Sequence, residues 1–296
     1  MRRACLAGAM LLAACASCRR APAPPAEPTG KPLVFVSILP QAEFVQRVGG
    51  ERVDVAVLLP PGQSPATYEP SPRQMTKLGR AQVYFRIGVP FERALLRKIA
   101  SAMPKLNIVD TSQGIKLRRM AAGHDHEHGA GAADPHTWLD PKLVKIQAGT
   151  IAHALTALAP AHAAEFERNL QSFQAELDRL DAKIAATLAP LRGRELFVFH
   201  PAYGYFADAY GLKQVAVELE GKEPSARALG ALIERAKARG VKVMFVQPQF
   251  SSKAAATVAR AIGGAVVPMD PLARDYESNL ESMAASVRAA LGGKAP

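Results

Sequence analysis

The sequence predicts an α/β fold of two lobes, each a parallel four-stranded sheet flanked by helices, joined by one long rigid helix. Three observations carry this expectation. Short apolar runs rich in β-branched residues alternate with helical patterns, as βαβ units require. Four such runs precede about residue 110 and four follow about residue 195. Between the two groups lies an amphipathic stretch without internal Gly or Pro.

In the first group the strand runs are Leu33–Leu39, Val53–Leu59, Val83–Ile87 and Leu106–Val109. Their near-continuous hydrophobicity suits strands covered on both faces. Helical patterns at Gln41–Val48, Arg73–Gly79 and Phe91–Ala100 separate them, and Lys142–Leu158 follows. From Ala164 to Ala189, Phe166, Leu170, Phe173, Leu177, Leu180, Ile184 and Leu188 recur at spacings of three and four, one apolar stripe on one helix. Pro160 and Pro190 punctuate its ends. At 1.5 Å per residue it runs roughly 35–40 Å, a strut that favours small relative motion over wide hinge closure. The same stripe could serve a coiled-coil seam, but it spans under four heptads and its flanks are Ala-rich, so a monomer is expected. The second group has runs at Leu196–Phe199, Gln214–Leu219, Val241–Val246 and Ala265–Val267, with helices at Ala202–Ala209, Ala226–Ala238, Lys253–Ala261 and Glu277–Ala290.

The amino terminus speaks to location. Arg2 and Arg3 precede a short apolar stretch from Ala4 to Ala14. A spanning helix needs about 20 apolar residues, so this suits a secretory signal peptide instead. Leu12-Ala13-Ala14-Cys15 resembles a bacterial lipobox, which makes Cys15 the expected lipidation site and the periplasm or cell surface the expected compartment. Cys5 would leave with the signal and Cys18 would lie in a tether, so the folded body has no cysteine for a disulfide, a thiolate ligand or a nucleophile. Arg19 to Pro32, with its Ala-Pro repeats, reads as a semi-extended linker. The expected division is a signal peptide at 1–14, a lipid-anchored linker at 15–31, a first lobe at 32–163, the connecting helix at 164–190 and a second lobe at 191–296. The formal net charge is +11, but Lys and Arg are scattered among acids without a dense basic block, which argues against nucleic acid. Weak attraction to anionic membrane surfaces accounts for the charge more simply.

Seven histidines are present. His153 and His162 lie in Ala-rich helical sequence and are set aside. His136 sits in Asp134-Pro135-His136-Thr137-Trp138-Leu139-Asp140-Pro141, which the two prolines should hold out of a helix. His200 follows the run Leu196–Phe199, at the carboxyl end of a strand, where ligands collect in parallel sheets. Asp270 follows a third apolar run; alone it is as well explained as a turn residue. Two imidazoles and a carboxylate from both lobes suit Zn²⁺, or Mn²⁺ if oxygen donors dominate, in a cleft between the lobes.

These residues carry a family resemblance. Ser37-Ile38-Leu39-Pro40, Leu59-Pro60-Pro61-Gly62 with Tyr68-Glu69-Pro70, Asp134 to Pro141, Phe199-His200-Pro201-Ala202-Tyr203-Gly204-Tyr205, Glu220-Gly221-Lys222-Glu223-Pro224-Ser225 and Asp270-Pro271-Leu272 occur in family order and cover nearly all the chain after the linker. The chain resembles the metal-binding receptors of the zinc/manganese ABC importers, the cluster A-I solute-binding proteins. The resemblance implies two lobes on a rigid helix, metal between them, and delivery to a membrane permease and its ATPase. It places the family's ligands on His136, His200 and Asp270. One departure matters. The family's first ligand histidine falls on Ala66 in Gly62-Gln63-Ser64-Pro65-Ala66, and a methyl group cannot ligate. Glu69, water, or a histidine from the His-rich loop at 123–129 would have to complete the site. Gly123-His124-Asp125-His126-Glu127-His128-Gly129 is a second, auxiliary feature: His124, His126 and His128 alternate with acids and would chelate weakly, and the family's zinc members often carry such a loop at this point.

Other functions remain compatible with this pattern. Three protein ligands plus water is also the make-up of catalytic zinc, so a zinc hydrolase with Glu69, Glu218 or Glu220 as base is one alternative. No His-Glu-x-x-His motif positions any of these acids. A metal-binding lipoprotein or adhesin without a transport role, and a degenerate receptor for a metal chelate, are the others.

Overall fold

The computed structural model describes residues 30–120, 132–216, 226–249 and 252–292. The signal peptide, Cys15, His124–His128 and the Glu220–Ser225 motif lie outside the described residues.

Two parallel four-stranded sheets are present. The first uses β1 (Leu33–Val36), β2 (Asp54–Val57), β3 (Val83–Arg86) and β4 (Asn107–Asp110) in the order β2-β1-β3-β4. The second uses β5 (Glu195–Val198), β6 (Lys213–Ala216), β7 (Val243–Val246) and β8 (Ala265–Pro268) in the order β6-β5-β7-β8. The two orders are the same pattern repeated. In each half the chain leaves the first strand for one neighbour and returns to its other side. The loops after β1 and β3, and after β5 and β7, therefore diverge and open a crevice at the carboxyl ends.

Several strands, β1 to β3 and β7 among them, are shorter than their apolar runs suggest. The run Leu33–Leu39 breaks at Ser37, because Leu39 already begins α1 (Leu39–Gly49) with Pro40 in its first turn. β6 is described from Lys213 to Ala216, and residues 217–219 of its run lie outside the described residues. The helix expected from Ala202 starts at Gly204 in α6 (Gly204–Ala209). The other helices follow the pattern: α2 (Pro72–Leu78), α3 (Pro90–Ala102), α4 (Pro141–Leu158), α7 (Ala226–Ala238), α8 (Ser252–Ile262) and α9 (Tyr276–Leu291). Side-chain caps start several of them. Ser71 accepts from the N–H of Gln74 at the head of α2, and Asp140 from that of Lys142 at the head of α4.

The long helix is α5 (Ala163–Leu188), 26 residues, or about 39 Å. Phe166, Phe173, Leu177, Leu180, Ile184 and Leu188 are its buried stripe, and it packs on α1, α4 and α9. α9 reaches back to the first half. Tyr276 packs edge-on against Phe44 of α1 at 4.9 Å, and its N–H donates to Glu43 at 2.7 Å. One apolar core consequently runs from Val34 and Phe85 through α5 to Leu196, Phe245 and Leu280. A smaller cluster, including Met244, Val258 and Ile262, fills the far side of the second sheet.

Candidate metal centre

The first crevice is closed by a buried carboxylate. Glu92 of α3 is 1% exposed and ties the ends of β1 and β3 together. Ser37 Oγ donates to Oε1 at 2.5 Å, the Ile87 N–H to Oε1 at 2.9 Å, and the Gly88 N–H to Oε2 at 2.7 Å. The Tyr84 hydroxyl lies 2.7 Å from Ser37 Oγ and completes the chain. Burial pushes the Glu92 carboxyl above its ordinary value of 4.5, against the pull of these donors. Gly88 has φ 95°, and a side chain there would start 3.8 Å from Pro135. The loop that Glu92 holds is thus pressed against the segment that carries His136.

The segment between the two prolines, expected out of a helix, makes a single 3-10 turn at Thr137–Leu139 before α4. A short 3-10 turn satisfies backbone groups that the flanking prolines cannot extend into a longer helix. Asp134 organises its start. Its Oδ1 accepts the N–H of His136 at 3.0 Å and lies 2.7 Å from His136 Nδ1. An ionised carboxylate can only accept, so the imidazole carries its proton on Nδ1 and offers Nε2. The Trp138 ring lies tilted against that of His136, centroids 5.1 Å apart, and anchors the turn by donating Nε1–H to the Pro271 carbonyl at 2.7 Å.

The second crevice carries His200, immediately after β5. Its ring meets that of His136 edge-on, with centroids 5.4 Å apart. The structure therefore brings together the two imidazoles that the sequence separates by more than sixty positions. Asp270 follows β8. Its carboxylate accepts from Gln249 Nε2 at 2.9 Å and from the Leu272 N–H at 2.9 Å. Tyr203, three residues past His200, hydrogen bonds to the Met269 carbonyl, and its phenol is pushed far up by burial and then by the neighbouring Asp270 charge. Backbone anchors from Trp138 and Tyr203 thus attach the Asp270 loop to both histidine segments.

Among the described residues, no three His, Cys, Asp or Glu side chains are gathered tightly enough to hold an ion as they stand. The imidazole pair is formed, and the carboxylate of Asp270 is engaged by its own neighbours. Glu69 is exposed, between β2 and α2, and belongs to no such group. Ala66 is half-buried in the turn after β2, its N–H directed to Ser64 Oγ at 3.3 Å.

Four supporting residues were given no role by the sequence patterns. Asp134 was legible in principle, since Asp-Pro-His is an Asx-turn signature. Tyr205 had only its place at the end of the Phe199–Tyr205 motif, and Arg118 and Gln249 had no local signal. The Tyr205 hydroxyl donates to the Asp134 carbonyl at 2.9 Å and accepts the Arg118 N–H at 2.8 Å. The Arg118 guanidinium pairs with Asp208 of α6 and stands 3.9 Å from Asp134 Oδ2. It lies across Gly204, where a Cβ would fall 2.8 Å from Nε. Residues 118–120 and 132–134 pair antiparallel, through Met120 N–H to the Ala132 carbonyl at 2.9 Å and Asp134 N–H to the Arg118 carbonyl at 2.8 Å. The two ends of the His-rich segment thus meet beside Asp134.

Two matching α/β halves, a long helix packed along them, and the His136–His200 ring pair between the turn before α4 and the end of β5 have the arrangement of a solute-binding receptor of the metal-ion class. The chain belongs to the family described as zinc-uptake complex component A periplasmic (ZnuA), which matches residues 34–290. It is 30% identical over 254 residues to a putative metal-binding protein of Chlamydia muridarum, covering 85% of this chain and 88% of the other. A zinc-bound deletion mutant of ZnuA superposes with a TM-score of 0.81 at 40% identity, over 90% of this chain and all of that one. FpvC of Pseudomonas aeruginosa in complex with Mn²⁺ superposes with a TM-score of 0.78 at 28% identity, over 89% of this chain and 99% of that one.

Proposed function

We infer that this protein is an extracytoplasmic receptor that captures Zn²⁺ between its two halves and delivers it to an ABC import permease and its ATPase. The observation that carries the reading is the His136–His200 pair, 5.4 Å between ring centres, contributed by the two crevices. Neutral imidazole is a preferred Zn²⁺ donor, and Asp134 fixes one ring to present Nε2. In this reading Asp270 turns one carboxylate oxygen to the ion, and water takes the place the family gives to a histidine at Ala66. Mn²⁺ is the second cargo the same donors can accept, since FpvC holds it on this fold. The protein acts by binding and release, not by turnover. It is held at the membrane by a lipid on Cys15 after removal of residues 1–14, through the 15–31 linker, and works as a monomer. The halves correspond to residues 32–163 and 191–296, joined by 164–190. The histidines at 124, 126 and 128 serve as an auxiliary, weaker site.

Calorimetric titration of the mature protein tests this. One Zn²⁺ should bind tightly, His200→Ala should abolish that binding, and deletion of residues 124–128 should leave it in place. If the deletion removes all binding and His200→Ala removes none, the metal is not held in the cleft.

A further inference from the structure

The Asp270 carboxylate is half committed before any ion arrives. Oδ1 accepts two hydrogen bonds, from Gln249 Nε2 and from the Leu272 N–H, both at 2.9 Å. Oδ2 accepts none from a described residue. The peptide around it is equally fixed. The carbonyls of Met269, Asp270 and Pro271 accept, in turn, from the Tyr203 hydroxyl, Asn279 Nδ2 at 2.7 Å and Trp138 Nε1 at 2.7 Å. Three successive carbonyls are thus pinned from α6's approach, from α9 and from the His136 turn. Gln249 stands just past β7, the neighbour of β8 in the sheet. It therefore reaches Asp270 from a separate strand end.

From this we propose that Gln249 is a specificity-determining residue: by occupying Oδ1 of Asp270 it leaves one carboxylate oxygen for the ion and so favours Zn²⁺ over Mn²⁺. The inference rests on the reading of Asp270 as a ligand. Zn²⁺ is content with four donors in a tetrahedron. Two imidazole nitrogens, one carboxylate oxygen and one water supply that number. Mn²⁺ prefers six donors rich in oxygen, and a carboxylate chelating through both oxygens is a compact way to add one. Chelation here would have to displace a hydrogen bond, because Gln249 and Leu272 already occupy both lone pairs of Oδ1. The pinned carbonyls prevent the loop from moving to spare them. Removing the Gln249 amide deletes one of the two restraints and leaves the imidazoles untouched.

The test is competitive titration of the full mature chain with Zn²⁺ and Mn²⁺, for wild type, Gln249→Leu and Gln249→Ala, with Mn²⁺ occupancy also read by electron paramagnetic resonance. Outer-shell changes at metal sites alter affinity by about 10–100-fold, and the preference for Zn²⁺ over Mn²⁺ is expected to fall by at least the lower figure, mainly through tighter Mn²⁺. Asp270→Ala should weaken Zn²⁺ and erase the difference between Gln249→Leu and wild type. A preference unchanged within about twofold in both Gln249 variants, while Asp270→Ala still weakens Zn²⁺, overturns the role of Gln249 and leaves the cleft intact. Full zinc affinity in Asp270→Ala overturns the inference at its premise. Full zinc affinity in His200→Ala is instead the failure of the cleft itself, and is read in a separate variant.

Discussion

Asp134 Oδ1 lies 2.7 Å from Nδ1 of His136 and also accepts the same residue's backbone N–H at 3.0 Å. One oxygen thus sets both the tautomer of the ring and the turn that carries it. Asp134 is only 2% exposed, so no competing water is needed to explain its placement.

Asp134→Asn should therefore be more damaging than its size implies. An amide can donate toward Nδ1 and stabilise the tautomer with the proton on Nε2, which cannot ligate. Zn²⁺ affinity is expected to drop about 10–100-fold, read by competition with a fluorescent chelator, with the fold retained. An unchanged affinity would separate Asp134 from the site.

Ala66→His restores the imidazole that the family carries at this position. If the cleft is where the cargo binds, a fourth protein donor should tighten Zn²⁺ by about tenfold or more and slow its release. Stopped-flow transfer to a chelator measures the second effect. No gain in either would show that the turn after β2 does not face the ion.

Arg118 spans the two halves through Asp208 and stands beside Asp134. Asp208 is largely exposed in this pair, so Arg118→Ala should cost only about 1 kcal/mol of stability in thermal melts. Its effect on zinc dissociation should be larger in proportion, a several-fold acceleration, because Asp134 loses the cation beside it. Gly204→Ala should reproduce part of this by forcing the guanidinium off its seat, since a Cβ would lie 2.8 Å from Nε.

Glu92 gives a pH prediction with a definite sign. Its folded carboxyl titrates above 4.5, because burial disfavours the charge. A raised acid binds more protons folded than unfolded, so its contribution is complete below the unfolded value and is lost as pH rises through the folded one. Stability in the window just above pH 4.5 should therefore decline with rising pH by this group's share. Glu92→Gln should flatten that slope in urea titrations. At neutral pH the variant should also be destabilised by about 1–3 kcal/mol, because its NH₂ must face the N–H of either Ile87 or Gly88.

The architecture was legible in the sequence because buried parallel strands have to be apolar on both faces, and LVFV, VYFR, ELFV and VMFV are little else. The ends of those strands were not. Leu39 and Gly204 fall where helix geometry takes over from an apolar run, and composition does not mark that switch. In the site, His136 and His200 announced themselves by neighbouring prolines and strand ends, and they do meet. Asp270 was as well explained as a turn residue, and the Leu272 N–H two residues on does close such a turn on its carboxylate; the bond from Gln249 comes from a tertiary neighbour that no spacing encodes. Arg118 lies more than eighty residues from the Asp208 it pairs with, and one arginine among so many cations carries no mark of its partner.

The return of the last helix to the first has a consequence for engineering. Phe44 and Tyr276, near opposite ends of the sequence, share one patch of oil, and the buried stripe of α5 is wetted if either half is taken away. Severing the polypeptide near Arg192–Arg194 should yield two fragments that are insoluble apart and that reassemble when co-expressed, a natural basis for a complementation reporter.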